Sequence, residues 1–264
     1  MLEIKSINKG FNRRTINEAI IFDNFNLDIH KGDFITIVGS NGAGKSTLLN
    51  IISGVLALDS GKIILEGKDI TKLKEYRRSK FISRVFQDPT KGTSPSMTIL
   101  ENLSLAANKG SNFGLSLGVN KKNIEEFKNQ LSILNLGLED KINTKVGMLS
   151  GGQRQALSLL MATLNTPKIL LLDEHTAALD PKTSETIINL TNTIIKEKNI
   201  TAIMITHNLS HAIEFGNRLL MMHRGEAVFD IDKVEKSNLT KNALIEEFNK
   251  VTFKEELSDR TLFA

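Results

Sequence analysis

One short segment constrains this chain more than any other: Gly39-Ser40-Asn41-Gly42-Ala43-Gly44-Lys45-Ser46. It follows a continuous β-rich run, Phe34-Ile35-Thr36-Ile37-Val38, and opens a stretch with helical spacing at 45–53. The segment fits the pattern GxxxxGK[ST]. Glycines let the backbone curl so that successive N–H groups point inward at an anion. The helix that follows adds its positive N-terminal end. Such a loop serves a nucleotide phosphate chain. Lys45 reaches the β- and γ-phosphates, Ser46 offers a hydroxyl to Mg²⁺, and Thr47 lies in the same turn. By residue frequencies alone, about one unrelated chain of this length in a hundred would match. The strand before the loop and the helix after it separate this match from chance.

Two further segments point to the same chemistry. Leu170-Leu171-Leu172-Asp173-Glu174 reads as a buried strand ending in two acids. Asp173 is placed to hold Mg²⁺, directly or through water, and Glu174 to orient and deprotonate an attacking water. Leu149-Ser150-Gly151-Gly152-Gln153 precedes a helical stretch. Ser150 and the two glycines offer hydroxyl and backbone donors to an anion at that helix start. An ordinary Ser-capped helix would use the same residue types, but the whole pentapeptide arises by chance in about one chain in a few thousand.

The rest of the chain frames these segments. Alternation marks strands at 2–7 and 20–29, with shorter ones at 62–65 and 83–86. Helical spacing recurs at 98–107 and 123–134, separated by a Gly/Ser/Asn-rich loop at 110–120, so residues 88–146 read as a helical insertion. Helix and strand then alternate: 153–164, 169–172, 184–196 and 202–205. That order calls for a parallel sheet covered by helices. The tail, 234–264, is polar with one helix at 241–248 and no role that its residues declare. The fold expected is α/β: a P-loop NTPase core with a mostly parallel sheet, an N-terminal antiparallel β subdomain and an inserted helical subdomain, all in one domain spanning 1–264.

Composition excludes several classes. The 264 residues are 40% hydrophobic and 24% charged, ordinary for a globular chain. With no cysteine, disulfide frameworks and thiolate metal sites are out. The apolar runs are strand-length, whereas a membrane-spanning helix needs about 20 residues. The N-terminus, Met1-Leu2-Glu3-Ile4-Lys5, lacks the apolar stretch of a signal peptide. The net charge of +4 is mild: it would suit nucleic acid or an anionic membrane surface and by itself decides neither, and no nucleic-acid partner is expected. The densest basic cluster, Lys72, Lys74, Arg77, Arg78 and Lys80, reads as a solvated helix face.

From about residue 2 to residue 230, the chain resembles the nucleotide-binding domain of ABC ATPases, with the motifs in the family's order and Leu149–Gln153 matching its signature sequence unaltered. The resemblance gives further residues their roles. Gln87 matches the glutamine that contacts Mg²⁺ and water and senses a membrane partner. His207 matches the switch histidine on the γ-phosphate. Asp180, in Ala177-Ala178-Leu179-Asp180, matches the loop that crosses the dimer interface, and Phe11 matches the aromatic that stacks on adenine. His175 departs from the family, which commonly has Pro or Ala there; beside Glu174 it either fills space or alters the local charge state.

The resemblance implies a cytoplasmic ATPase, peripheral on the inner face of the cell membrane. ATP and Mg²⁺ would be bound in a homodimer or with a paired ATPase subunit. One phosphate loop and one signature per chain are half of what a two-chain nucleotide sandwich requires. Integral membrane permease subunits would dock on the helical insertion, and an extracellular solute-binding protein would act through the permease. The run Asp173-Glu174-His175-Thr176 resembles motors of uptake systems for small solutes, amino acids among them. The alternative is a soluble ABC-type ATPase acting on a non-transport assembly; a P-loop kinase would not need Leu149–Gln153.

Overall fold

The computed structural model describes residues 1–110, 118–119 and 123–250. In chain order the elements are β1 (Leu2–Phe11), β2 (Ala19–Ile29), β3 (Phe34–Gly39), α1 (Lys45–Ser53), β4 (Ser60–Leu65), β5 (Lys68–Asp69) and α2 (Glu75–Arg78). There follow β6 (Ile82–Val85), α3 (Ile99–Ala107), α4 (Ile124–Ser132), α5 (Gly151–Thr163), β7 (Ile169–Asp173) and α6 (Pro181–Glu197). The chain continues through β8 (Thr201–Ile205), α7 (Leu209–Glu214), β9 (Arg218–His223), β10 (Glu226–Ile231) and α8 (Lys233–Ser237). A last helix occupies 241–250. The expected α/β class holds. Most of the expected 110–120 loop, and the tail beyond 250, lie outside the described residues.

The chain divides into two compact units, one made of Met1–Lys72 and Ile203–Ala264, the other of Leu73–Ala202. The first holds an antiparallel sheet of order β2-β1-β4-β5. Its alternation aligns one apolar face: Ile4 stands opposite Leu27 and Ile63, and all three are buried. Strand β1 runs on to Phe11, past the expected end at residue 7. Register shifts at Ile4/Ile7 and beyond break the alternation there, with Ser6 held at φ 46. In the same unit β3 lies parallel to β9, Ile37 opposite Leu220, and β9 turns back antiparallel into β10 through Arg224 and Gly225. Every residue of β3 is buried, as its continuous apolar run requires.

The second unit pairs β6 with β7 in parallel, Val85 opposite Leu172. Its helices share one core, in which Leu103, Phe127, Leu131, Leu157, Leu160 and Ile187 are buried. Each such side chain contributes about 1.5–3 kcal/mol on leaving water. Thr98 and Glu101 close a reciprocal capping box that starts α3. Helix α6 begins at Pro181, capped by Asp180, earlier than periodicity alone placed it. The basic cluster departs from expectation at one position: Arg78 is buried and donates from Nε to the Leu73 carbonyl at 2.9 Å, while its neighbours are exposed.

Candidate active site

In the first unit the phosphate loop takes its course from two glycines. Gly39 has φ 153, and a Cβ there would sit 2.1 Å from the Met222 carbonyl oxygen on β9. Gly44 has φ 96 and packs on Ile21 and Phe22, where a Cβ would meet carbons at 3.1 Å. The Gly225 N–H holds the loop by donating to the Ala43 carbonyl at 3.1 Å. Gly44 is also the N-cap of α1 and supplies no side-chain cap; the first turn of that helix contains no acid. The leading N–H groups of α1 therefore carry the positive end of the helix with neither a side-chain cap nor an acid of their own turn. The Lys45 ammonium is buried and donates to the carbonyls of Gly39 (2.7 Å) and Ser40 (2.9 Å). Ser40, Asn41, Gly42, Ser46 and Thr47 are at least partly open to solvent.

Phe11 ends β1, is 37% exposed and has the Lys9 ammonium 5.5 Å from its ring centroid. Asp59 fixes this segment, a role the sequence did not announce. Its carboxylate accepts from the Gly10 N–H (2.7 Å), Lys9 Nζ (3.1 Å) and an Arg13 guanidinium N–H (2.8 Å). Burial works against the charged carboxyl, but these donors outweigh it and hold Asp59 below the usual carboxylate range. His207 follows β8 and is exposed. It lines a cavity of about 200 Å³ with Val38, Gly39, Thr206, Leu209 and Phe248, so the structure brings it beside the first glycine of the loop.

In the second unit Asp173 ends β7 and pairs with Arg84 of β6, with 2.5 Å between oxygen and nitrogen. Arg84 went unremarked in the sequence; its signal is a charge inside the short strand Ile82-Ser83-Arg84-Val85. Its guanidinium also lies 4.8 Å from the Phe86 ring centroid. Glu174 takes the left-handed conformation, φ 47, and its carbonyl accepts from the Ala177 N–H at 2.9 Å. A non-glycine residue in that region is strained and is held by its surroundings. His175 is buried, with Nε2 3.0 Å from Thr191 Oγ1. The Thr191 hydroxyl donates to the Ile187 carbonyl at 2.7 Å, so His175 Nε2 is the donor to Thr191. Gln87 stands exposed in the bend after β6.

The signature opens α5, which starts at Gly151, two residues before the expected start. Ser150 Oγ accepts from the Gln153 N–H and Gln153 Oε1 accepts from the Ser150 N–H, each at 3.2 Å. Gly152 also serves packing: a Cβ there would lie 2.3 Å from Thr183 Cγ2 of α6, whereas one on Gly151 would make ordinary contact with Leu179 at 3.6 Å. The structure thus gathers the signature and the Asp180 segment at one place. Asp180 accepts from the Thr183 N–H at 3.1 Å, and hydrogen bonds to Thr183 pull its carboxyl below the usual range.

A strand, a glycine-rich loop and a helix with open leading donors, set in an α/β fold, define a P-loop nucleoside triphosphatase. The ABC transporter family profile matches residues 22–177, and the chain belongs to that family. It is 52% identical to a tyrosine transport ATP-binding protein of Clostridioides difficile over 94% of this chain and 98% of that one. It is 35% identical to the methionine import ATP-binding protein MetN 1 of Oceanobacillus iheyensis, covering 92% of this chain and 71% of that protein. A spermidine/putrescine import ATP-binding protein, PotA of Pasteurella multocida, is also 35% identical, and there the chain spans 62% of the relative's length. Among solved structures, the dimeric post-hydrolysis cassette MJ0796 bound to ADP and Pi superimposes with a TM-score of 0.75 at 30% identity, over 88% of this chain and 99% of that one. The chain is accordingly an ATP-binding, ATP-hydrolysing subunit of the ABC transporter type. Among the described residues no helix is long and apolar enough to cross a membrane.

Proposed function

We propose that this chain is the motor of an uptake transporter for a small solute of the amino-acid class. It would work as a dimer on the cytoplasmic face of separate permease subunits, which an extracellular solute-binding protein would supply. The observation that carries the motor reading is a pair of helix starts, α1 without a side-chain cap after the phosphate loop and α5 capped by Ser150 at the signature, in a sequence with one phosphate loop and one signature. The amino-acid reading rests on the two relatives named for tyrosine transport and methionine import.

The donors assigned to Mg²⁺ are the Ser46 hydroxyl, the Asp173 carboxylate and the Gln87 amide oxygen. All are hard oxygens, the set Mg²⁺ prefers, and one carboxylate with substrate phosphates is its usual complement. Among the described residues there is no cluster of three or more His, Asp or Glu that would suit a different metal. Held by these groups, Mg²⁺ would supply positive charge to offset that on the β- and γ-phosphate oxygens. Lys45 holds the same oxygens. The leading N–H groups of α1 and the glycines and side chains of 39–47 cradle the phosphates, while Phe11 stacks on adenine. Glu174 takes the proton of the attacking water, which adds to the γ-phosphorus as ADP leaves. His207 holds the γ-phosphate and that water in line. Ser150, Gly151, Gly152 and Gln153 close over the ATP held by the partner chain, with Asp180 crossing between the two. Residues 88–146 pass the dimer's closure to the permease.

Glu174→Gln tests the chemistry. It is expected to bind ATP, to elute as a dimer only when ATP is present, and to hydrolyse at least 10²-fold more slowly. A normal rate would remove Glu174 as the base. Affinity recovery of the tagged chain from detergent-treated native membranes tests the transport reading: a multi-span membrane protein in matching amount supports it, and soluble partners alone would overturn it.

A further inference from the structure

The C-terminal segment beyond β10 grips helix α7, the helix that begins two residues after His207. At the far end of α7, the Lys236 ammonium of α8 donates to the Phe215 carbonyl and, at 3.3 Å, to Thr36 Oγ1 on β3. Thr36 in turn donates to the Ala212 carbonyl inside α7 at 2.8 Å. Lys236 is only 4% exposed, and burial pushes its ammonium down to about 8. A charge is set there at a cost because its hydrogen bonds join three elements. Along the middle, Leu244 of the terminal helix is fully buried with Ala212 and with Val38, the residue that leads into the phosphate loop. At the near end, Phe248 of the same helix reaches the cavity wall shared by His207, Leu209 and Gly39.

The backbone at His207 is fixed from both sides. The Thr206 N–H donates to the Ile37 carbonyl at 3.2 Å. Asn208 caps α7, accepting from Ser210 and His211, and its own N–H donates to Thr206 Oγ1 at 3.0 Å. The imidazole carried on that backbone is exposed and lines a cavity of about 200 Å³. Phe248 supplies the aromatic wall of that space from the C-terminal helix. We infer that Phe248 is a positioning residue for His207: its ring limits the imidazole to the orientation used in hydrolysis and so makes the C-terminal segment part of the motor. This inference rests on the assignment of His207 to the γ-phosphate.

The test is steady-state ATP hydrolysis by the full chain carrying Phe248→Ala, Phe248→Leu, Leu239→Ala, His207→Ala, or Phe248→Ala with His207→Ala. Leu239 packs in the same apolar cluster but does not line the cavity. Phe248→Ala is expected to lower kcat about tenfold with KM for ATP unchanged, within the ~10²-fold that a misplacement of about 1 Å can cost. Phe248→Leu restores most of the rate, Leu239→Ala lowers the melting temperature without lowering kcat, and Phe248→Ala adds nothing once His207 is gone. A normal kcat for Phe248→Ala beside an inactive His207→Ala overturns the inference, as does a loss that multiplies fully with that of His207→Ala or is matched by Leu239→Ala. A normal rate for His207→Ala would instead overturn the assignment of His207 itself, and this inference with it.

Discussion

Two glycine-rich turns in this chain run into helices, and they leave those helix starts in opposite states. Helix α1 starts from Gly44, which caps nothing with a side chain, and no acid stands in its first turn. Helix α5 starts from Ser150, whose side chain and main chain are both tied to Gln153. An anion meeting α1 finds donors that no cap has taken; at α5 it must share Ser150 with a cap already made. The glycines differ as well. Gly39 admits a carbonyl from the next strand, whereas Gly152 admits a methyl from the next helix. Under the proposed function, the phosphate loop holds phosphate by itself, whereas the signature turn is first made rigid by its cap and keeps its hydroxyl proton for a phosphate brought to it.

The contrast breaks most sharply at Gly39. Gly39→Ala drives a Cβ toward the Met222 carbonyl, a contact that β3 and β9 can relieve only by parting, and should cost ~3 kcal/mol or more. ATP binding by the single chain should disappear with it. Gly42→Ala is the matched control: its φ is 83, and among the described residues a Cβ meets nothing within 4 Å. It should cost about 1–2 kcal/mol of left-handed strain and retain binding. Denaturant melts with nucleotide titration on both variants check this. Equal losses would mean that conformation, not the approach of β9, makes residue 39 glycine.

At the signature the same substitution should do less, and a second change should reverse it. Gly152→Ala places a Cβ 2.3 Å from Thr183 Cγ2, the end of a short side chain on α6. The expected loss is about 1–3 kcal/mol, without change in the affinity of the single chain for ATP. Thr183→Ser removes that methyl and should recover most of the loss when combined with Gly152→Ala. Additive losses in thermal melts would show that the second glycine is not there for helix clearance.

Most of the fold could be read in the sequence because its signals are local. Apolar alternation marked β2 and β4, the unbroken apolar run marked β3, and helical spacing marked α3 to α6. Where the reading fell short, the cause was a tertiary override or a local signal set aside. Strand β1 continues through bulges that scramble its period. Helix α6 announces itself by Asp180-Pro181, a cap followed by proline, yet its apolar spacing becomes clear only later. The site divides the same way. Phosphate-loop residues, Asp173, Glu174 and Ser150 declare themselves by spacing and context. Gln87, His207 and Asp180 gained their roles from resemblance, since a single polar residue after a strand carries no chemistry of its own. Arg84 and Asp59 were missed because their partners Asp173 and Gly10 lie 89 and 49 residues along the chain, which no local pattern encodes.

Ser150 gives the smallest effect and the finest division between the two turns. Ser150→Ala removes the oxygen that accepts from the Gln153 N–H and should cost about 1 kcal/mol, the usual worth of such a cap. Because α1 needs nothing from Ser150, the affinity of the single chain for ATP should stay as it was. Hydrolysis should fall by more than the stability loss explains, since the hydroxyl proton would be missing from the second chain's ATP. Ser150→Gly separates the two roles: glycine caps nearly as well as serine but offers no hydroxyl. If the glycine variant recovers stability but not rate, the hydroxyl acts on phosphate; if it recovers both, Ser150 is a helix cap and nothing more.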